Sequence, residues 1–178
     1  MEDRIQSDYY KLLFGVRRSI RYHHRRRLFF DRLHQISTFL SAATGTATVA
    51  SLLANASSLA LLFGISVAVF SVIDLVVGAP QAARLHHDLA RKFIALEKAM
   101  TACTNPSQED MIRFTNERLD IESEEPPVLK VLDAICHNEL IRALGHDPKY
   151  YAKITWYQRL FAHFFDIREH KIQLQTEP

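Results

Sequence analysis

The pattern of apolar and polar positions changes at one long segment that carries no charge. From Gln35 to Ile73 the sequence has no Asp, Glu, Lys, Arg or His, although 24% of all residues are charged. A bilayer core about 30 Å thick needs roughly 20 apolar residues in a helix. The Asn and Ser residues within Leu53–Ser58 favour a turn near the middle of the segment. The pattern therefore predicts two transmembrane helices, over Ile36–Ala54 and Leu59–Ala79.

A helical hairpin buried in the core of a soluble bundle is the alternative for this segment. Several Ser and Thr residues make its first helix less hydrophobic than a typical membrane span. A surface helix of a soluble protein shows a charged or polar face, so two uncharged helices would need burial on all sides. A chain of 178 residues has little material with which to enclose both. We therefore expect an integral membrane protein.

Apolar positions before and after this segment recur at helical spacing. Residues 1–34 predict an amphipathic, basic N-terminal helix that leads into the first span, with an apolar face of Ile5, Tyr9, Leu12, Val16 and Ile20. Residues 80–145 predict cytosolic helices, and the first of them has an apolar stripe of Leu85, Leu89, Phe93, Leu96 and Met100. The predicted fold is thus all-α, with a two-helix transmembrane hairpin over residues 35–79 and a cytosolic helical bundle.

Two more helices are predicted within the cytosolic part. Ser107 is a candidate N-cap for a helix that runs to about Ile121. A further helix should extend from about Pro127 to Leu144 and end at Gly145.

Residues 146–178 predict an aromatic amphipathic helix, over Thr155–His170, followed by a frayed tail. The large apolar residues of this helix cover roughly half of its circumference: Trp156, Tyr157, Leu160, Phe161, Phe164 and Phe165. They could lie in the membrane interface or dock onto the bundle, and we favour docking.

A stripe of small polar residues runs along the first predicted span. The spacings of four and three residues place Ser37, Ser41, Thr44, Thr48, Ser51 and Asn55 on one helix face. Lipid offers such groups no hydrogen-bond partner, so the stripe should face protein or water. Tight helix packing and a pore lining, formed by several hairpins around an axis, both explain the stripe.

The second predicted span has its own small residues and one charge. Ala60, Gly64 and Ala68 form a small-xxx-small pattern that is typical of helix contacts, within the hairpin or between protomers. Asp74 lies near the end of the span, and a turn near Ala56 would place it level with about Phe39. It is either an acid paired with a neighbour at the interface or part of a ring of acids at a pore mouth that favours cations.

Basic residues flank both ends of the uncharged segment. The positive-inside rule therefore places both termini in the cytoplasm of a multi-pass membrane protein. Arginines beside aromatic residues also suit the headgroup zone, where they attract anionic lipids. The flanking arginines that we single out are Arg25, Arg26, Arg27, Arg32 and Arg84.

Motifs for catalysis and cofactor binding are missing from the sequence. It has no HExxH, CxxC, EF-hand, GxGxxG, GxxxxGK or GxSxG pattern. We therefore expect no enzyme activity, no cofactor and no metal site. Cys103 and Cys136 should be reduced packing residues, and a net charge of +2 gives no reason to expect nucleic-acid binding.

Two groups of residues resemble a known family. The first is Tyr22-His23 with Arg25-Arg26 and Phe29-Phe30-Asp31-Arg32-Leu33-His34, and the second is Glu125-Pro126-Pro127 followed by Cys136-His137-Asn138-Glu139. With the order of basic arm, hairpin and later helices, they make residues 17–145 similar to the SLATT domain. That family consists of two-transmembrane prokaryotic effectors found with nucleotide-based immunity systems.

The resemblance implies a pore-forming effector of an anti-phage or conflict system. Such a protein would assemble as a homo-oligomer in the inner membrane, permeabilise it and arrest or kill the cell. No fused sensor is visible in this chain, so we expect the trigger to come from a separate sensor protein or a nucleotide second messenger. The alternative is a membrane-anchored helical interaction or scaffold protein without pore activity.

Overall fold

The computed structural model describes residues 2–167, 169 and 172, and this part of the chain is helical without a β-strand. The α-helices are α1 Glu2–Leu53, α2 Ser57–Val77, α3 Ala79–Ala102, α4 Gln108–Ser123, α5 Lys130–Ala143 and α6 Trp156–Phe161, with a 3-10 turn at Pro148–Tyr150. The prediction of an all-α chain is therefore confirmed for the described residues. The predicted N-terminal helix and first span form one helix of 52 residues.

Two segments are long and apolar enough to cross a membrane, one within Arg4–Leu53 and the other within Ser57–Ala102. Only 6% of the most apolar window in each is buried. The core helix of a soluble protein would be mostly buried, because its apolar surface has to be removed from water. The chain therefore does not enclose these helices in the way that the soluble alternative requires.

The chain divides into two compact units, Met1–Arg26 with His86–Pro178, and Arg27–Leu85. We call them the bundle unit and the helix-pair unit. The predicted boundary at residue 34 falls inside α1, while the predicted segments 80–145 and 146–178 lie mostly together in the bundle unit.

The main core of the bundle unit comes from the first part of α1, from α3 and from α4. Its buried side chains are Leu12, Leu13, Val16, Leu89, Phe93, Leu96, Met100, Phe114 and Ile121. Four of the five residues of the predicted α3 stripe are therefore buried, whereas Leu85 is 41% exposed. Burying one such side chain stabilises the fold by about 1.5–3 kcal/mol, so this cluster holds the three helices together.

Local capping sets several helix ends in this unit. The Ser107 hydroxyl accepts the backbone N–H of Asp110, whose carboxylate accepts the N–H of Ser107, so the predicted N-cap is confirmed as a capping box. Gly145 has φ of +73°, in the left-handed region that glycine tolerates, just beyond the end of α5. Cys103 and Cys136 are free thiols, as predicted.

The C-terminal helix is shorter than predicted. α6 has six residues instead of the run Thr155–His170, because the chain turns back after Phe161. The Asp166 carboxylate accepts the backbone N–H groups of Lys130 and Val131, at 2.9 and 3.0 Å, and so caps the start of α5. The Gln158 amide donates to the Ile167 carbonyl oxygen, which closes the turn.

The aromatic face of α6 is exposed to solvent and does not dock onto the bundle. Our preferred interpretation of this face as a docking surface is therefore wrong. Gln158 and Ala162 are the buried residues of this region, while Trp156 is 76% exposed. Leu160, Phe161, Phe164 and Phe165 are also exposed.

The helix-pair unit contains the second part of α1, all of α2 and the start of α3. α1 ends at Leu53, and the chain reverses over Ala54–Ala56, where Asn55 has φ of +54°. α2 ends at Val77 rather than Ala79, since Gly78, with φ of +58°, donates its N–H to the Asp74 carbonyl and stops the helix. Phe30, Ala79 and Ala83 form the buried cluster of this unit.

Candidate functional site

The polar stripe of α1 lies at the contact between α1 and α2. Ser37 and Ser51 are only 7% and 9% exposed, and the Ser37 hydroxyl donates to the Phe70 carbonyl oxygen of α2 at 3.2 Å. Ser41, Thr44 and Thr48 are half-buried. Asn55 lies in the turn, beyond the end of α1, and does not share the helix face that we predicted for it. The stripe thus serves helix packing within one protomer.

The threonine hydroxyls of the stripe bond within their own helix. Thr44 Oγ1 donates to the Leu40 carbonyl at 2.7 Å, and Thr48 Oγ1 donates to the Thr44 carbonyl at 2.8 Å. Such bonds to the carbonyl four residues earlier satisfy a hydroxyl where no water is present. The hydroxyls of Thr44 and Thr48 therefore have hydrogen-bond partners even without water from a pore.

Asp74 pairs with a histidine of the opposite helix. Its Oδ1 lies 3.0 Å from His34 Nδ1, with side-chain exposures of 29% and 43%. One of our two interpretations of Asp74, an acid paired with a neighbour, agrees with this contact, and the partner lies five residues before Phe39. The chain reverses over Ala54–Ala56, within the turn that we predicted.

An open polar groove of about 470 Å³ lies beside this ion pair, on the outside of the two helices. Its lining is Ser37, Thr38, Ser41, Ser71, Asp74 and Leu75. Thr38 and Ser71 are exposed, and sequence reasoning missed both. Ser71 could have been found from its position one turn before Asp74, which puts the two side chains on one face of α2. The groove combines hydroxyl groups with a carboxylate.

Most of the other exposed side chains within residues 36–77 are apolar. Large exposed side chains of α1 and α2 include Ile36, Phe39, Val49, Leu52, Leu61, Leu62, Ile65, Val69, Val72, Leu75 and Val76. The groove is therefore a polar strip on a mostly apolar surface.

The small residues of α2 have different surroundings. Ala60 is buried, Gly64 is half-buried and Ala68 is exposed. A side-chain atom added at Gly64 would meet nothing within 4 Å. The small-residue pattern is thus only partly used within the protomer.

The predicted flanking arginines have two kinds of surroundings. Arg25 donates to the Glu139 carboxylate through two nitrogens, and Arg26 donates to the His163 carbonyl at 2.7 Å, so both hold the bundle unit together. In the helix-pair unit, Arg27 pairs with Asp31 at 3.4 Å, while Arg32 and Arg84 are exposed.

A buried hydrogen-bonded chain crosses the bundle unit. His23 Nε2 lies 3.0 Å from Glu125 Oε1, and His23 Nδ1 lies 2.9 Å from His86 Nδ1. His23 also stacks on Phe93, with ring centroids 5.6 Å apart. Burial, with the charges of His23 and Arg26 nearby, lowers the pKa of His86 to about 3. At the 2.9 Å contact between the two Nδ1 atoms one ring donates and the other accepts, and His23 Nε2 can donate to the Glu125 carboxylate.

Chemistry at the cysteines and histidines is not favoured by this arrangement. Burial raises the pKa of the Cys136 thiol to about 12, which keeps it protonated and unreactive. Within residues 2–167, 169 and 172, no three His, Cys, Asp or Glu side chains come together as metal ligands.

Comparison of the chain with family models, with curated proteins and with solved structures gave no match. The fold and the site define the class directly: over the described residues, a helical chain with two apolar segments that could span a membrane and an acidic polar groove lined by both of them.

Proposed function

We propose that this protein is a pore-forming membrane effector. In this proposal, α1 and α2 insert as a hairpin in the inner membrane with both termini in the cytoplasm, and several protomers assemble around a water-filled path. The observation that carries the proposal is the groove at Thr38, Ser71 and Asp74, which lies outside the helix pair and not within it.

The argument depends on what can cover that groove in a bilayer. Hydrocarbon offers no hydrogen bonds to hydroxyl groups, and a carboxylate in the hydrocarbon region is unfavourable even near its edge. The large apolar side chains elsewhere on the pair match lipid without such a penalty. If copies of the chain pack with their grooves inward, each polar group faces protein or water, while the apolar surface faces lipid.

The proposed lining overlaps the predicted one in part. Ser37, Ser41 and Asp74 line the groove, and Thr38 and Ser71 join them. Ser51 is buried and does not line it. The incompletely covered positions Gly64 and Ala68 are candidates for contacts between protomers, since small residues let helices approach closely.

The resemblance to the SLATT domain supports the same proposal and adds a context. In such a system the pore would open on a cytoplasmic signal from a separate sensor protein or a nucleotide second messenger. Opening would be a shift between two packings of the helix pair, biased by the bundle unit.

The test is dye and ion leakage from liposomes that contain the purified full-length chain. We expect the variant T38L/S71L to reduce leakage by about tenfold or more, because apolar side chains dewet a narrow path. The matched control is T46L/S66L, which replaces two hydroxyl groups that do not line the groove. Asp74→Asn should lower the selectivity of the pore for cations, because the groove then loses its charge. The change is measured as a shift in the reversal potential.

Two outcomes would overturn parts of the proposal. Equal leakage from T38L/S71L and from the control would show that the groove is not the lumen. Absence of leakage from wild-type protein that floats with the liposomes would reject the pore and favour the membrane-anchored interaction protein.

A further inference from the structure

A second groove, in the bundle unit, is lined by three arginines. It has a volume of about 220 Å³, and its side chains come from α1, α5, α6 and the segment before α6. The charged lining residues are Arg25, Glu139, Arg142 and Arg159, and Ile135 and Ile154 provide an apolar wall. The pore proposal does not use this groove.

The groove has an excess of positive charge, because three arginines and one glutamate line it. Arg25 is paired with Glu139, and hydrogen bonds to that carboxylate raise the pKa of Arg25 further. Among the described residues, Arg142 and Arg159 have no carboxylate within ion-pair distance, and both are exposed. Two guanidinium groups thus face one small open space, and the planar guanidinium matches phosphate oxygens in a bidentate geometry.

The surface next to the groove is apolar. On α6, Arg159 and Leu160 lie three and four residues after Trp156, so both are neighbours of the Trp156 side chain. Trp156 is 76% exposed and Leu160 is 63% exposed. Phe161 and Phe165 add further exposed aromatic surface nearby in the sequence. A soluble phosphate compound would leave this surface in water, whereas the interfacial region of a bilayer suits tryptophan and other aromatic rings.

The proposed membrane insertion would also supply the lipid, and Arg25 belongs to the same helix, α1, as the first proposed span. Arg25 precedes Gln35, the first residue of the uncharged segment, by ten positions in the sequence. A phospholipid headgroup is therefore available at high local concentration, which a freely diffusing anion is not.

We infer that the groove of Arg25, Arg142 and Arg159 binds the phosphate of an anionic phospholipid, while Trp156 and Leu160 enter the outer part of the acyl region. This inference rests on the membrane insertion of the proposed function, but not on pore formation. Through this headgroup site, the bundle unit responds to the amount of anionic lipid in the membrane.

Trp156 is the single tryptophan of the chain, so its fluorescence reports on this site alone. The experiment reconstitutes the full-length protein in vesicles of brominated phosphatidylcholine with increasing phosphatidylglycerol. We expect the Trp156 emission to shift to the blue and to be quenched as the phosphatidylglycerol fraction rises. Vesicles without phosphatidylglycerol should leave the tryptophan largely unquenched.

The variant R142Q/R159Q removes the two arginines that lack a carboxylate partner. We expect the affinity for phosphatidylglycerol, taken from the fraction needed for half-maximal quenching, to fall by about 25-fold, because each of the two basic groups contributes about a fivefold factor near an anionic surface. The matched control R91Q/K98Q makes the same change of charge at two exposed positions of α3, and it should quench like the wild type. Circular dichroism of each variant verifies that the helices are retained.

Each alternative outcome has its own signature. Equal quenching with and without phosphatidylglycerol, or equal loss in R142Q/R159Q and R91Q/K98Q, would overturn the headgroup site. A spectral shift of detergent-solubilised protein with inorganic phosphate or glycerophosphate, without quenching by the brominated lipid, would instead identify a site for soluble anions. Failure of the protein to float with the vesicles would reject membrane insertion, and with it the proposed function.

Discussion

At the scale of single residues, partner groups decide the role of a side chain more than its type does. Asp74 and Asp166 are both carboxylates, yet one pairs with His34 across two helices and the other caps α5. Likewise, Ser37 and Thr38 are adjacent, but Ser37 is buried against α2 and Thr38 is exposed in the groove. Sequence spacing identified the helix face of Ser37 correctly. It could not show which part of that face α2 would cover, because this depends on the turn at Ala54–Ala56.

The buried histidine chain predicts a specific acid sensitivity. The folded protein keeps His86 neutral, with a pKa lowered to about 3, whereas an unfolded histidine has a pKa near 6.5. Below about pH 6.5 the unfolded state therefore binds a proton that the folded state does not, and stability falls by up to about 1.4 kcal/mol per pH unit. Between pH 7.5 and 5 this lowers the free energy of unfolding by about 2 kcal/mol.

The measurement is the melting temperature of detergent-solubilised protein at both pH values. His86→Asn should reduce the acid-induced decrease in Tm by about 4–8 °C relative to wild type. The control is His24→Asn, at the exposed position next to His23, which should keep the wild-type decrease. The same decrease in His86→Asn and in wild type would show that His86 does not stay neutral in the folded state.

At the scale of elements, helix bounds set by a local signal were predictable, and a helix end set by distant groups was not. The capping box at Ser107 is visible in the sequence, because a Ser followed three residues later by an acid is a local signal. The end of α6 is not a local property. The carboxylate that stops it, Asp166, is held by backbone groups of α5 more than thirty residues earlier in the chain. Apolar spacing alone therefore predicted too long a helix.

Asp166→Ala should destabilise the bundle unit through α5. The substitution leaves the N–H groups of Lys130 and Val131 without their shared acceptor, and loss of an N-cap of this kind costs about 1 kcal/mol. For a chain of this size, we expect Tm to fall by about 2–4 °C. Thr101→Ala is the control, because its hydroxyl bonds only within α3 and caps no helix. An unchanged Tm in Asp166→Ala would show that the cap does not contribute.

At the scale of the whole molecule, the sequence identified the all-α class and both apolar segments, because an uncharged run is a strong and local signal. The sequence analysis also separated a helical hairpin from a bundle, but it did not predict the positions at which the two units divide. The two boundaries between the units, after Arg26 and after Leu85, fall inside the continuous helices α1 and α3. No composition change or proline marks either position, so only the packing of side chains separates the units.

The proposed topology predicts where an engineered cysteine can be labelled. In intact cells, a membrane-impermeant maleimide should react with Asn55→Cys, since the turn lies on the far side of the membrane. It should react with Gln108→Cys only after lysis. The wild-type chain is the control for background, and its Cys136 should stay unlabelled because it is buried with a raised pKa. Labelling of Gln108→Cys in intact cells would contradict cytoplasmic termini.

The left-handed residue at Gly78 has a consequence for the thickness of membrane that this chain would fit. It ends α2 after 21 residues, which at 1.5 Å per residue gives a rod of about 32 Å. A typical hydrocarbon layer is about 30 Å thick. Without that single backbone reversal, α2 and α3 could join into one rod much longer than any bilayer. Under the proposed insertion, Gly78 therefore sets the length of the second span to the thickness of an ordinary membrane.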